Sequence, residues 1–141
     1  MSYHQLILAL HILSITIGIG IGFSNIVNLA TAKSQTGDIA KGLAMGRLAN
    51  RKYHDAAVIL ILVTGGLLLA NLGVGGLSKW FHIKLAFVAI FVICHFAARA
   101  TVKQMLATGN TALMGRAKML SHIAITGAVL SLISAVLAFA T

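Results

Sequence analysis

The sequence predicts an all-α, polytopic membrane protein: a four-helix bundle with both termini outside. Three observations carry this. First, 59% of the 141 residues are hydrophobic and only 9% are charged, with a mean hydropathy of +0.97. A soluble domain normally carries about a quarter charged residues. Second, the apolar residues fall into four runs, each close to the ~20 residues that a helix needs to cross a bilayer. Third, there is no proline and few aromatics, which suits packed helices. A barrel would show short alternating segments instead.

The first run covers residues 5–30. The N-terminus has no basic segment and no cleavage site, so this run reads as a retained span rather than a signal peptide. The polar connection 31–53 follows, with Lys33, Lys41, Arg47, Arg51 and Lys52 against Asp38. Residues 39–50 within it have the pattern of a short interfacial helix. The second run covers 55–72 and leads into a glycine-rich turn at 71–76. The third covers 80–100. A second polar connection, 101–118, holds Lys103, Arg116 and Lys118, with Thr108-Gly109-Asn110 as a turn signal. The fourth run covers 119–140. Almost no mass remains outside the spans, so residues 1–141 read as one transmembrane domain.

Loop charge sets the expected orientation. The first and third connections hold nearly all the Lys and Arg, and the second holds only Lys79. The positive-inside rule places the two basic connections in the cytoplasm. The +9 formal charge then suits anionic membrane lipid. No basic patch is interleaved with aromatics, so nucleic acid is not an expected partner. The single cysteine, Cys94, forms no intrachain disulfide, and its setting is that of a small core residue.

The chemistry concentrates in residues 80–99, WFHIKLAFVAIFVICHFAAR. Ionisable groups inside an apolar helix are costly and point to function. At 100° per residue, Lys84 and His95 lie about 20° apart in projection and roughly 16 Å apart along the axis. His82 projects away from that face. In the first run His4, His11, Gly18, Gly22 and Asn25 share a face, with Ser14 beside it. His54 stands just ahead of the second run, with Gly65 on the same face, and the fourth carries His122. Sorted by depth, these give an outer layer of His11, His82 and Lys84 and an inner layer of His54, His95 and His122 with Asn25. Bundle cores build cofactor sites from facing helices, and neutral imidazole is a common haem and metal ligand. The cofactor candidates are therefore His11, His54, His82, His95 and His122. Lys84 is placed to pair with a propionate or an anionic substrate. His54, His95 and His122 are the candidates for copper or zinc.

Leu10-His11-Ile12, Trp80-Phe81-His82-Ile83-Lys84-Leu85 and His95 resemble the four-to-five-span HemJ-type protoporphyrinogen oxidases. The resemblance implies haem b, oxidation of protoporphyrinogen IX in the bacterial inner membrane, and electrons passed to a quinone or respiratory-chain component. It places His11, Lys84 and His95 at matched positions, with His11 and Lys84 as the catalytic pair. The sequence departs from that family at Asn25-Ile-Val-Asn28, where a Pro-Arg pair is expected. It departs again at Ala117-Lys-Met-Leu-Ser-His122, where an Asn-Glu-x-Pro-like motif is expected. The first span also resembles small predicted membrane proteins without a settled function and, more distantly, the membrane domains of copper-resistance proteins. Three functions are therefore expected to compete. They are a haem b oxidoreductase or electron carrier, a copper- or zinc-handling membrane protein, and a non-catalytic subunit of a homo-oligomer or larger membrane complex.

Overall fold

The computed structural model describes residues 2–72 and 78–140. It contains five α-helices: α1 (Tyr3–Ser34), α2 (Gly37–Ala49), α3 (Arg51–Leu72), α4 (Lys79–Thr108) and α5 (Leu113–Ala140). No strand occurs among the described residues. Four stretches are long and apolar enough to cross a membrane: Tyr3–Ser34, Gly37–Asn71, Lys79–Thr108 and Leu113–Ala138. The all-helical, four-span architecture is thus as expected. Most of the glycine-rich turn expected at 71–76 lies outside the described residues.

The helices extend past the apolar runs because their ends are capped by polar neighbours. Ser2 and Gln5 form a reciprocal capping box at the start of α1, with bonds of 2.8 and 3.3 Å. The α1–α2 turn requires a left-handed residue, and Gly37 supplies it at φ 65°. The interfacial helix expected at 39–50 appears as α2. Asn50 keeps a right-handed helical conformation, and its carbonyl accepts from His54 N–H at 3.1 Å, so α2 runs into α3 with little interruption. Gly109, at φ 70°, ends α4 by donating to the Met105 carbonyl at 2.9 Å. Asn110 Oδ1 then accepts from Ala112 N–H, which completes the expected Thr-Gly-Asn turn.

Burial follows a 3–4 alternation. On α1 the buried positions are Ile7, His11, Ser14, Gly18, Asn25, Leu29 and Ala32. On α4 they include Phe91, His95, Ala98, Val102 and Met105. On α5 they include Met114, Ala117, Ser121, Ala124 and Ala128. This spacing averages 3.5 residues, the repeat that keeps a contact line straight along gently left-handed helix pairs. The opposite faces are as apolar as the core: Ile12, Ile93 and Val136 are all exposed. In water such surfaces would aggregate; in lipid they face their solvent.

α1 packs on α3, α4 packs on α5, and α1 touches α5. Gly127 lets α5 approach closely, since a Cβ there would lie 3.2 Å from the Phe87 carbonyl. α2 packs across α1 and α4 at the end that carries the basic connections, hereafter the basic end. There Leu29, Ala32, Ala40, Ala44, Val102, Met105, Met114 and Ala117 form one buried cluster drawn from α1, α2, α4 and α5. α3 and α4 approach each other less closely than the packed pairs and meet through side chains, with Val58 and Phe91 in one buried cluster alongside Ala124 and Ala128. A seam therefore runs between them, closed at the basic end by polar side chains.

Candidate functional site

Two groups of polar side chains line the interior, at different depths. The first, nearer the far end, is centred on His11. This residue is buried on α1, and its ring lies over Gly65 of α3, where a Cβ would come within 3.1 Å of Cε1. Its Nδ1 is 2.8 Å from Thr64 Oγ1. The Thr64 hydroxyl proton goes to the Leu60 carbonyl one turn back, as threonine commonly does in a helix. Oγ1 is then the acceptor towards His11, and Nδ1–H donates. In the neutral ring this leaves the lone pair on Nε2 as the acceptor or ligand atom. The Lys84 ammonium acts electrostatically on this ring and also stands 5.3 Å over the Phe81 ring.

The second group closes the α3–α4 seam at the basic end. His54 of α3 and His95 of α4 are both buried, in edge-to-face contact with ring centroids 4.2 Å apart. His95 Nε2–H donates to Asp55 Oδ1 at 3.1 Å. Arg99 donates to Asp55 Oδ2. Asn25 Nδ2–H donates to His54 Nδ1 at 3.2 Å. Arg47 reaches in from α2, only 6% exposed, and donates to the Ala98 carbonyl at 3.1 Å. Two buried polar atoms have no partner among the described residues: His54 Nε2 and Asn25 Oδ1. Two small cavities, each of about 10 Å³, touch this group, and Asn25, Arg47, His54 and His95 line both.

The expected two-layer arrangement thus holds for His11 with Lys84 and for His54 with His95 and Asn25. It fails for two histidines. His122 is exposed on α5, because Ser121 and Ala124 occupy the inward positions around it. His82 is exposed near the start of α4 and donates from Nδ1 to the Ser78 carbonyl at 3.1 Å. It therefore caps its own helix instead of joining Lys84 and His11. His54, His95 and His122 consequently do not converge, and among the described residues no three His, Cys, Asp or Glu form a metal-holding group. Gly65, expected to make room beside His54, makes room for His11 instead. Cys94 packs against the Val58, Phe91, Ala124 and Ala128 cluster, as a small core residue does.

Three participants escape a single-helix reading of the sequence. Taken one helix at a time, Asp55 is a carboxylate beside a loop and Arg99 a cation near the end of a span; in the structure they pair with each other. Arg47, in a basic connection, turns inward. One signal did exist: Asp55 opens its span and Arg99 closes the next, so antiparallel helices bring opposite charges to one depth.

A haem clamped between His54 and His95 does not fit. Their rings already touch, the His95 Nε2 is given to Asp55, and the adjoining cavities each hold about one water. The His11 group differs from that pair: one ring nitrogen is held by Thr64, the ring lies against Gly65, and Lys84 is the cation that acts on it. Comparison with family models, with curated proteins and with solved structures returned no match for this chain.

Proposed function

We propose that the protein is a haem b-binding membrane oxidoreductase or electron-transfer protein of the bacterial plasma membrane, with its basic connections inside and both termini outside. The observation that supports this reading is the His11 arrangement. Thr64 holds Nδ1–H, which turns the Nε2 lone pair outward. A partner on the other ring nitrogen is what orients imidazoles that bind iron or other metals. Gly65 lets the ring settle against the α3 backbone, where a Cβ would crowd it. Lys84 supplies a cation near the same ring, suited to a propionate or another acidic group. A haem held there supplies one-electron chemistry. His11 binds and orients, Lys84 neutralises acidic charge, and the apolar α3–α4 seam keeps water away. The resemblance of the His11 and Trp80–Leu85 segments to HemJ-type enzymes points the same way.

The test is an absorption spectrum of the detergent-purified protein. The expected result is a Soret band that shifts on dithionite reduction, with one haem per chain. His11→Ala abolishes it, and His122→Ala leaves it unchanged. A colourless protein that haemin cannot reconstitute overturns the proposal. If that colourless chain co-purifies in a larger assembly, the accessory-subunit reading takes its place.

A further inference from the structure

We propose that the basic end of the bundle holds a second site, one that binds a carboxylate between the Arg47 guanidinium and His54 Nε2. It is separate from the His11–Lys84 group, and nothing in its argument depends on haem.

The argument starts from charge. Arg47 is buried, yet among the described residues no carboxylate pairs with it. The nearest candidate, Asp55, already gives one oxygen to His95 and the other to Arg99. The residues around the cavity at the α3–α4 seam include Arg47, Arg51 and Arg99 against Asp55 alone. With neutral histidines, that is three cations for one anion. An unpaired buried charge is among the costliest features a fold can keep, and the Ala98 carbonyl carries no net charge to offset it. One bond to that carbonyl also uses only one of the five N–H donors of a guanidinium. If Arg47 served only to pin α2 to α4, an apolar side chain of similar length would do so without the cost.

Hydrogen-bond donors point the same way. Asn25 Nδ2–H occupies the Nδ1 lone pair of His54, so the neutral ring carries its proton on Nε2. That N–H is buried and makes no well-formed hydrogen bond; its one backbone neighbour, the Gly18 carbonyl, interacts with the ring without closing one. A guanidinium and an unsatisfied N–H lining the same cavity call for an anion with two acceptor oxygens. A carboxylate matches in charge and shape. A phosphate brings more charge and more bulk than two 10 Å³ cavities sharing one wall can take. The carboxylate spans both cavities and enters where Arg51 and Arg99 border the surface. The other unpartnered atom, Asn25 Oδ1, is an acceptor, and a single water satisfies it when that space holds water in place of the anion.

The site accepts either a small free carboxylate or the carboxylate arm of a larger, membrane-dissolved molecule whose body lies in the α3–α4 seam. Thermal unfolding of the detergent-solubilised, haem-free protein distinguishes these. Sodium formate, sodium hexanoate and, as ionic-strength control, sodium gluconate are compared at equal sodium. Formate is expected to raise Tm saturably above gluconate. Lys41→Gln, an exposed cation at the same end, keeps that response. Arg47→Met loses it and, in gluconate, is at least as stable as the wild type. Each buried methylene is worth about fourfold in affinity. A larger natural ligand is therefore indicated by a half-saturating hexanoate concentration at least about tenfold below that of formate, and a small free anion by equal values. The proposal is overturned if formate and gluconate act alike, if Arg47→Met still responds to formate, or if Arg47→Met in gluconate is less stable than the wild type. Because no arm contains haem, a failed haem reconstitution leaves every one of these outcomes readable.

Discussion

At the scale of single residues, the interior is arranged by what each polar atom is already committed to. Thr64 gives its proton to its own helix, and that choice fixes the tautomer of His11. His95 is tied to Asp55, whereas His54 keeps one nitrogen without a partner. Similar side chains at similar depth therefore have different chemistry. Gly65 belongs to this scale too. Gly65→Ala places a methyl 3.1 Å from the His11 Cε1, and the ring must give by a few tenths of an ångström. A stability change within about 1 kcal/mol is expected, because alanine also favours the helix by about that amount. With haem at His11 as proposed, the reduced-minus-oxidised spectrum, in contrast, is expected to change shape or weaken. Gly66→Ala, with nothing within 4 Å of its added methyl, is expected to leave the spectrum as it was.

At the scale of elements, the helices are set by their small residues as much as by their large ones. α5 lies close to α4 at Gly127, where the nearest atoms are backbone and cannot step aside. Gly127→Ala is expected to cost about 1–3 kcal/mol, the usual range for overpacking a close contact. Gly20→Ala, on an open face of α1, is expected to be neutral or to stabilise by up to about 1 kcal/mol through helix propensity. Unfolding of both variants in mixed micelles checks the pair, and equal losses would refute this account of helix approach. α2 was readable as an interfacial helix from its basic, moderately apolar sequence. Its inward Arg47 was not, because membership of a basic connection says nothing about which way a side chain turns. His122 shows the converse. Its depth was readable, but its outward direction was set by Ser121 and Ala124 taking the inward positions.

At the scale of the whole molecule, the bundle is two packed pairs joined along α1 and α5, with α3 and α4 bridged by side chains. Asp55 carries that bridge through His95 and Arg99. Its side chain is 19% exposed and that of Arg99 is 36% exposed, so the pair is worth less than a fully buried one. Asp55→Asn is expected to destabilise by about 1–3 kcal/mol. Arg99→Gln is expected to cost less, because Asp55 keeps His95. A double-mutant cycle should return a coupling of about 0.5–1.5 kcal/mol, as for residues that share a network. Additive losses would mean that the ion pair does not hold α3 to α4.

The sequence by itself determined the class, the number of spans, the interfacial helix, the turn at Gly109 and the inward face of each long helix that carries His11, Asn25 and His95. These are local properties: apolar run length, helical period, and residues that start or stop a helix. Only the tertiary structure decided which polar groups meet. It paired Asp55 with Arg99 and His95, set His54 against His95, turned Arg47 inward and left His82 and His122 outside. The physical reason is that in a membrane both faces of a helix are apolar, so hydrophobic periodicity, the usual guide to orientation, is nearly silent. Rotation about each helix axis is then set by close contacts such as Gly127 on Phe87 and His11 over Gly65, and these exist only once the helices are side by side.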